Sequence, residues 1–189
     1  MMEYLIRDNG TIIVTGSIDL TGTKLPELPR FGMRMELHQP YENLTYYGRG
    51  PLENYIDRYS SSFIGRYENK VENQFYWYIR PQETGNKTDV RWLTLLDSEG
   101  QGVRITGLQP VAFSALHFSP EDLDPGLTRK LQHTIDIVPQ KNIFLHVDLR
   151  QRGLGGDNSW GMYPHNEYRL LDKKYTYSYM IELVEKGSD

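Results

Sequence analysis

An all-β fold, a large antiparallel β-sandwich with at most one short helix, is what this 189-residue sequence predicts. Three observations carry that expectation. Apolar residues recur with a period of two along most of the chain. Signals built from Gly, Pro and Asn punctuate the runs. Tyrosine and tryptophan, 14 and 3 residues against 6 phenylalanines, suit half-buried sheet faces whose edges meet water.

The elements follow in order. After an Asn9-Gly10 turn, "TIIVTGSIDL" (Thr11 to Leu20) alternates as a strand. Turn residues from Pro26 to Pro29 lead into "FGMRMELH" (Phe31 to His38). Gly48 to Pro51 read as a further turn, and the aromatic run "QFYWYIR" (Gln74 to Arg80) as a strand. Beyond Gly85-Asn86 come "RWLTLLD" (Arg91 to Asp97), a Glu99-Gly100 turn and "QGVRITGL" (Gln101 to Leu108). In "NIFLHVDLRQ" (Asn142 to Gln151), Ile143, Leu145, Val147 and Leu149 alternate with other residues, the pattern of a half-buried strand. Gly153 to Gly156 end it, and "YTYSYMIELV" (Tyr175 to Val184) closes the set. The one helical signal is "SPEDLDPGLTRKLQ" (Ser119 to Gln132): Ser119 caps it, Pro120 and acidic residues fill its first turn, and Pro125-Gly126 cut it short. No repeat or linker divides the chain, so residues 1–189 read as one domain with a core of its own.

Composition excludes several functions. With 21 Lys+Arg against 25 Asp+Glu, a net charge of −4 and no block of like charge, neither a nucleic-acid surface nor a polybasic membrane patch is expected. No apolar run approaches the about 18 residues of a membrane span, and the first residues lack a leader's pattern. The absence of cysteine removes disulfides, thiolate metal sites and cysteine nucleophiles. Sequons at Asn43 and Asn86 are short enough to arise by chance.

Carboxylates come first among candidate chemistry, because a glycosidase needs two of them about 5–5.5 Å or about 6.5–9.5 Å apart. Glu53 and Asp57 in "GPLENYIDR" are close in sequence, but the flanking Arg49 and Arg58 favour structural ion pairs. His38, His117, His133, His146 and His165 are scattered singly, without metal-ligand spacing. No G-x-S-x-G elbow occurs, and "GLGG" is followed by neither a Walker lysine nor a helix. What remains is "GLGGDNSWG" (Gly153 to Gly161). Gly153, Gly155 and Gly156 permit positive φ and close backbone approach. Asp157, Asn158 and Ser159 hold a turn through side-chain-to-backbone bonds. They present the indole of Trp160, which either stacks on a pyranose face or folds back onto its own sandwich.

Three ordered segments are recognisable: "YYGRGPLENYIDRYSSSFIGRYENKV" (Tyr46 to Val71), "YIRPQETGNKTDVRWL" (Tyr78 to Leu93) and "QRGLGGDNSWG" (Gln151 to Gly161). Together with "LPELPRFG" (Leu25 to Gly32) and "HFSPEDLD" (His117 to Asp124), they resemble the C-terminal, small-chain domain of glycoside hydrolase family 2 β-galactosidases. The likeness runs from about Tyr4 to about Leu183. It implies a sandwich similar to that of galactose mutarotase, in a parent whose (β/α)₈ barrel holds two catalytic glutamates for retaining hydrolysis of terminal β-D-galactosides. It implies magnesium and sodium sites in other domains, no cofactor or metal in this chain, and no catalytic residue here. The tryptophan lining the sugar site carries over to Trp160, with Asp157, Asn158 and Ser159 shaping its loop. Gly48, Arg49, Gly50 and Pro51 then form a structural turn, with Glu53, Asn54 and Asp57 pinning it to the sandwich. The family's domain usually starts earlier, so the chain reads as its latter two-thirds.

The partners expected are a β-galactoside together with the parent's barrel, and a second copy in a homo-oligomer. The sequence assigns no compartment, leaving cytoplasm and periplasm open. Mutarotase chemistry is not expected, because the surroundings of His117, His133 and His146 do not match that enzyme's motifs and a shared fold is not a shared activity. Two other classes stay open: a free-standing carbohydrate-binding module, and a purely structural or oligomerisation domain.

Overall fold

The structure, a computed structural model, describes residues 1–38, 40–124, 126, 133–158 and 160–187. Its strands are β1 (Met2–Ile6), β2 (Ile12–Asp19), β3 (Arg30–Leu37), β4 (Asn43–Gly50), β5 (Phe63–Lys70), β6 (Lys87–Leu96), β7 (Gly102–Leu116), β8 (Ile143–Gln151) and β9 (Lys174–Val184). They pair antiparallel in the order β1-β2-β9-β7-β6-β4-β5, with β8 joined to β7 and β3 to β8.

Strand β7 turns one sheet into two layers. Its first half, to Gly107, pairs with β9, and Ala112 to Leu116 pair with β8. At the changeover Pro110 has no N–H to give a ladder. The Gln109 amide instead donates to the Ser178 carbonyl and accepts from its N–H, both at 3.1 Å. The β2–β9 wing therefore lies over the β3–β8 wing. Tyr177 Oη donates to the Val147 carbonyl at 3.1 Å, and the rings of Phe31 and Tyr177 meet edge to face at 5.5 Å. These residues are not ladder neighbours, so the contacts are between layers, as in a sandwich. Val14, Tyr46, Leu93, Phe113, Leu145 and Tyr179 are among the buried residues filling the space between.

Strands β2, β3, β8 and β9 match their predicted spans to within a residue or two, whereas β6 and β7 run longer than the sequence suggests. The expected strand from Gln74 to Arg80 does not form. Phe75 and Trp77 pack on Phe118, at 4.4 and 5.8 Å, while the rings of Tyr76 and Tyr78 meet at a tilt of 54°, with centroids 4.6 Å apart. The alternation is real, but side-chain contacts satisfy it without a ladder. The helix α1 (Pro120–Leu123) has the expected cap, a reciprocal box between Ser119 and Asp122, and Pro120 in its first turn. It stops at Leu123 because Asp124 leaves helical geometry. Of the longer predicted stretch, Pro125 and 127–132 lie outside the described residues.

Candidate functional site

The segment after β4 is built by packing before it turns. Gly48 and Gly50, expected as turn formers, belong to β4 itself. A Cβ on Gly48 would come within 2.6 Å of Val90 Cγ2 on the neighbouring strand, so the glycine admits a close strand contact. The chain turns only after Pro51, and Asn54 ties that turn down. Wholly buried, Asn54 donates to the carbonyls of Arg49 and Leu52 at 3.1 and 3.0 Å. It accepts from Thr88 N and Oγ1 at 2.8 and 2.6 Å. Arg49 pairs with Asp89 and donates to the Ser62 carbonyl at 3.0 Å, with its guanidinium 4.4 Å from the centre of the Tyr59 ring.

Glu53 and Asp57 take separate parts. Glu53 is ringed by donors: Arg58 at 2.6 Å, the Gly85 N–H at 2.9 Å, and the hydroxyls of Tyr78 and Thr84. Burial alone would raise its pKa, but the donors from Thr84, Tyr78, Gly85 and Arg58 outweigh it and hold the carboxyl below its usual range. Such a group is a poor general acid. Asp57 instead reaches across to the tryptophan loop, accepting from the Gly155 N–H at 2.7 Å. A Cβ on Gly153 would stand 2.7 Å from the Asp57 carboxyl carbon, so glycine is what lets the loop close on the carboxylate.

The loop therefore has a braced base and an open tip. At the base, the Gly153 N–H donates to the Tyr168 carbonyl at 2.8 Å. Glu27 accepts from Arg152 at 3.0 Å and from Arg169 at 2.6 Å, and both guanidiniums lie over the Tyr163 ring. At the tip, Asn158 Oδ1 accepts the Trp160 N–H at 2.8 Å, and His165 Nε2 meets Asp157 Oδ1 at 3.1 Å. Gly161, rather than Gly153, Gly155 or Gly156, takes the positive φ, 96°. The Trp160 side chain does not fold back; the residue is 91% exposed. Ser159 lies outside the described residues. Trp160, Asp157, Asn158 and Asp57 thus belong to one locality, while Arg49, Glu53 and Asn54 hold the turn on which Asp57 stands. Sequence reasoning missed Glu27, Arg152, Tyr163 and Arg169; a glutamate between two prolines in "LPELPRFG" was the available signal.

His146, a lone strand histidine, is a structural acceptor. Its Nδ1 accepts from Arg30 at 3.0 Å, and burial together with that guanidinium lowers its pKa to about 4. Beside it, burial pushes the Asp148 carboxyl up to about 7, against the pull of Arg30 at 2.9 Å.

Comparison with known proteins adds the following. Residues 1–181 match the family described as beta galactosidase small chain. The chain is 34% identical over 182 residues to a beta-galactosidase of Priestia megaterium and 34% over 183 residues to one of Streptococcus thermophilus. In both cases 96% of the chain is matched, and it spans 17% of the relative's length. Against beta-galactosidase BgaC of Bifidobacterium adolescentis the identity is 35% over 164 residues, covering 84% of the chain and 15% of the relative.

Proposed function

The chain belongs to the beta galactosidase small chain family, and on that premise we propose that it forms one wall of the sugar pocket of a β-galactosidase. In this reading the parent hydrolyses terminal non-reducing β-D-galactosides with retention, and its catalytic glutamates lie outside this chain. The part played here is positioning. The indole of Trp160 offers an apolar face to the C–H face of a galactoside or its aglycone, and excludes water from that side. Asp157 and Asn158 hold the loop tip, and Asp57 holds its base.

One observation carries the reading: an indole 91% exposed stands on a loop whose base is fixed by Asp57, Glu27 and the Tyr168 carbonyl. A tryptophan serving its own core would be covered, and one on an unbraced loop could not position anything. Loss of a stacking aromatic costs on the order of 1–3 kcal/mol, by analogy with bases on aromatic platforms. In the full-length enzyme, Trp160→Ala should therefore raise KM for galactosides by about 5- to 150-fold and alter transfer to sugar acceptors, with hydrolysis still detectable. An unchanged KM for every galactoside tried would end the stacking role.

A further inference from the structure

Strand β1 ends the sheet with an open edge. It pairs with β2 on one side only, and all five of its residues are exposed. The ladder fixes which backbone groups stay free. Met1 and Ser17 exchange two hydrogen bonds, at 2.7 and 3.0 Å, and the Arg7 N–H donates to the Thr11 carbonyl at 2.9 Å. Bonded and unbonded pairs alternate along an antiparallel ladder. Glu3 and Leu5 therefore turn their backbone groups to β2 as well, while Met2, Tyr4 and Ile6 turn theirs outward.

The side chains divide by face. Tyr4 leans towards the second layer, its hydroxyl 3.9 Å from Met33 Sδ, and Met2 and Ile6 share its side of the strand. Tyr4 and Ile6 nevertheless remain 60 and 71% exposed. The opposite face carries Glu3, Leu5 and Arg7, and neither of those charges has an ion-pair partner among the described residues. The other free edges differ in this respect. On β5, Arg66 pairs with Glu68 at 2.7 Å, and on β3, Arg34 pairs with Glu121 at 2.7 Å. An edge that is apolar and carries unpaired charges of both signs is a template for another strand.

We infer that this edge docks a second copy of the chain, which adds its own β1 antiparallel about a two-fold axis at Leu5. An added strand must set free backbone groups opposite free ones. Of the self-pairings that do so, only the one centred on Leu5 sets Glu3 opposite Arg7 of the partner subunit, and symmetry repeats that pair. The same register sets Tyr4 opposite Ile6 of the partner subunit on the apolar face, and Leu5 opposite its own copy. Opposite charges and aromatic–aliphatic pairs are the cross-strand contacts that stabilise a sheet. A pairing centred on Tyr4 would instead face each Glu3 with a leucine.

The chain has no cysteine, so a single introduced one reads the register. Facing residues of an unbonded pair have Cα atoms about 4.5 Å apart, within reach of a disulfide. Under mild oxidation Leu5→Cys should link two copies, and Glu3→Cys should not. Sedimentation of the 189-residue chain should show a dimer that forms with rising concentration. Tyr4→Pro removes an outward N–H and no bond to β2, so it should abolish the dimer and leave the circular dichroism unchanged. Glu3→Arg or Arg7→Glu alone should weaken association by about 2- to 30-fold, and the two together should restore it. The pairing is overturned by a chain that is monomeric at every concentration, by a dimer that Tyr4→Pro leaves intact, or by a double variant no tighter than the single ones. It is overturned equally by a full-length enzyme in which Leu5→Cys gives no link between subunits, which would assign the edge to another part of the parent chain.

Discussion

At the scale of single residues, Asp57 does more than its place in a turn suggests. Its Oδ2 accepts the Gly155 N–H from 98 positions away, while its Oδ1 is buried without a partner among the described residues. The carboxylate thus couples the turn after β4 to the loop that carries Trp160. If the indole works by being held in place, Asp57→Ala should mimic part of Trp160→Ala in the full-length enzyme. KM should rise several-fold, and the fluorescence anisotropy of the Trp160 indole should fall as the loop gains motion. An anisotropy equal to that of the parent would show that the loop holds its shape without Asp57. Lys87 makes a second case. It is 2% exposed, and its Nζ donates to Gln74 Oε1 at 3.1 Å and the Gly85 carbonyl at 3.0 Å. Burial lowers its pKa from 10.5 to about 8, with Glu53 pulling the other way. Between those two values the unfolded chain binds the extra proton, so this group's contribution to stability rises with pH across the interval and is flat below about 8. The gain is up to about 3 kcal/mol. In urea unfolding, the stability of the wild type relative to Lys87→Met should rise as the pH is taken from about 8 to about 10.5. A difference that stays constant would remove Lys87 as the cause.

Elements were legible in the sequence where alternation meets a one-sided environment. In β8 the residues Ile143, Leu145 and Val147 are fully buried, and the period of two shows in the sequence because the residues between them are aromatic or polar, although Phe144 and Asp148 are buried as well. β1 was not legible, because every residue of it is exposed and it pairs on one side only. β5 is an edge strand too, with six of its eight residues exposed. In β4 the glycines at 48 and 50 occupy inward positions where an apolar side chain would have marked the strand. The loop bearing Trp160 could be read from its residues, whereas its braces could not, since Glu27 and Asp57 reach it only through the fold. Asn54 is the staple that joins β6 to the turn carrying Asp57. Asn54→Ala would leave four groups without this partner, of which the Thr88 N–H and hydroxyl are buried. At about 1 kcal/mol for each buried group, the loss is about 2 kcal/mol, or a fall in Tm of about 4–8 °C for a chain of this size. Calorimetry showing no change would mean that the turn closes without its buried amide.

For the molecule as a whole, the proposed role as a pocket wall calls for reacting groups outside this chain. Hydrolysis of a glycoside requires one carboxyl kept protonated as an acid and a second placed across the bond from it. The two carboxylates that lie close together in the sequence as a candidate pair, Glu53 and Asp57, are both engaged by the chain itself. Glu53 is held ionised by Arg58, Thr84, Tyr78 and Gly85, and Asp57 is committed to Gly155. Glu53 is not available as a proton donor without dismantling the turn. The relatives extend far past the matched region, which is 17% of the first two, leaving ample chain to hold the reacting groups. The expected outcome is that the purified 189-residue chain, folded by circular dichroism, gives no steady turnover of an aryl β-galactoside, whereas the full-length enzyme does. Steady turnover by the chain alone, abolished by Glu53→Gln with the fold intact, would transfer the chemistry to this sandwich and overturn the proposed role.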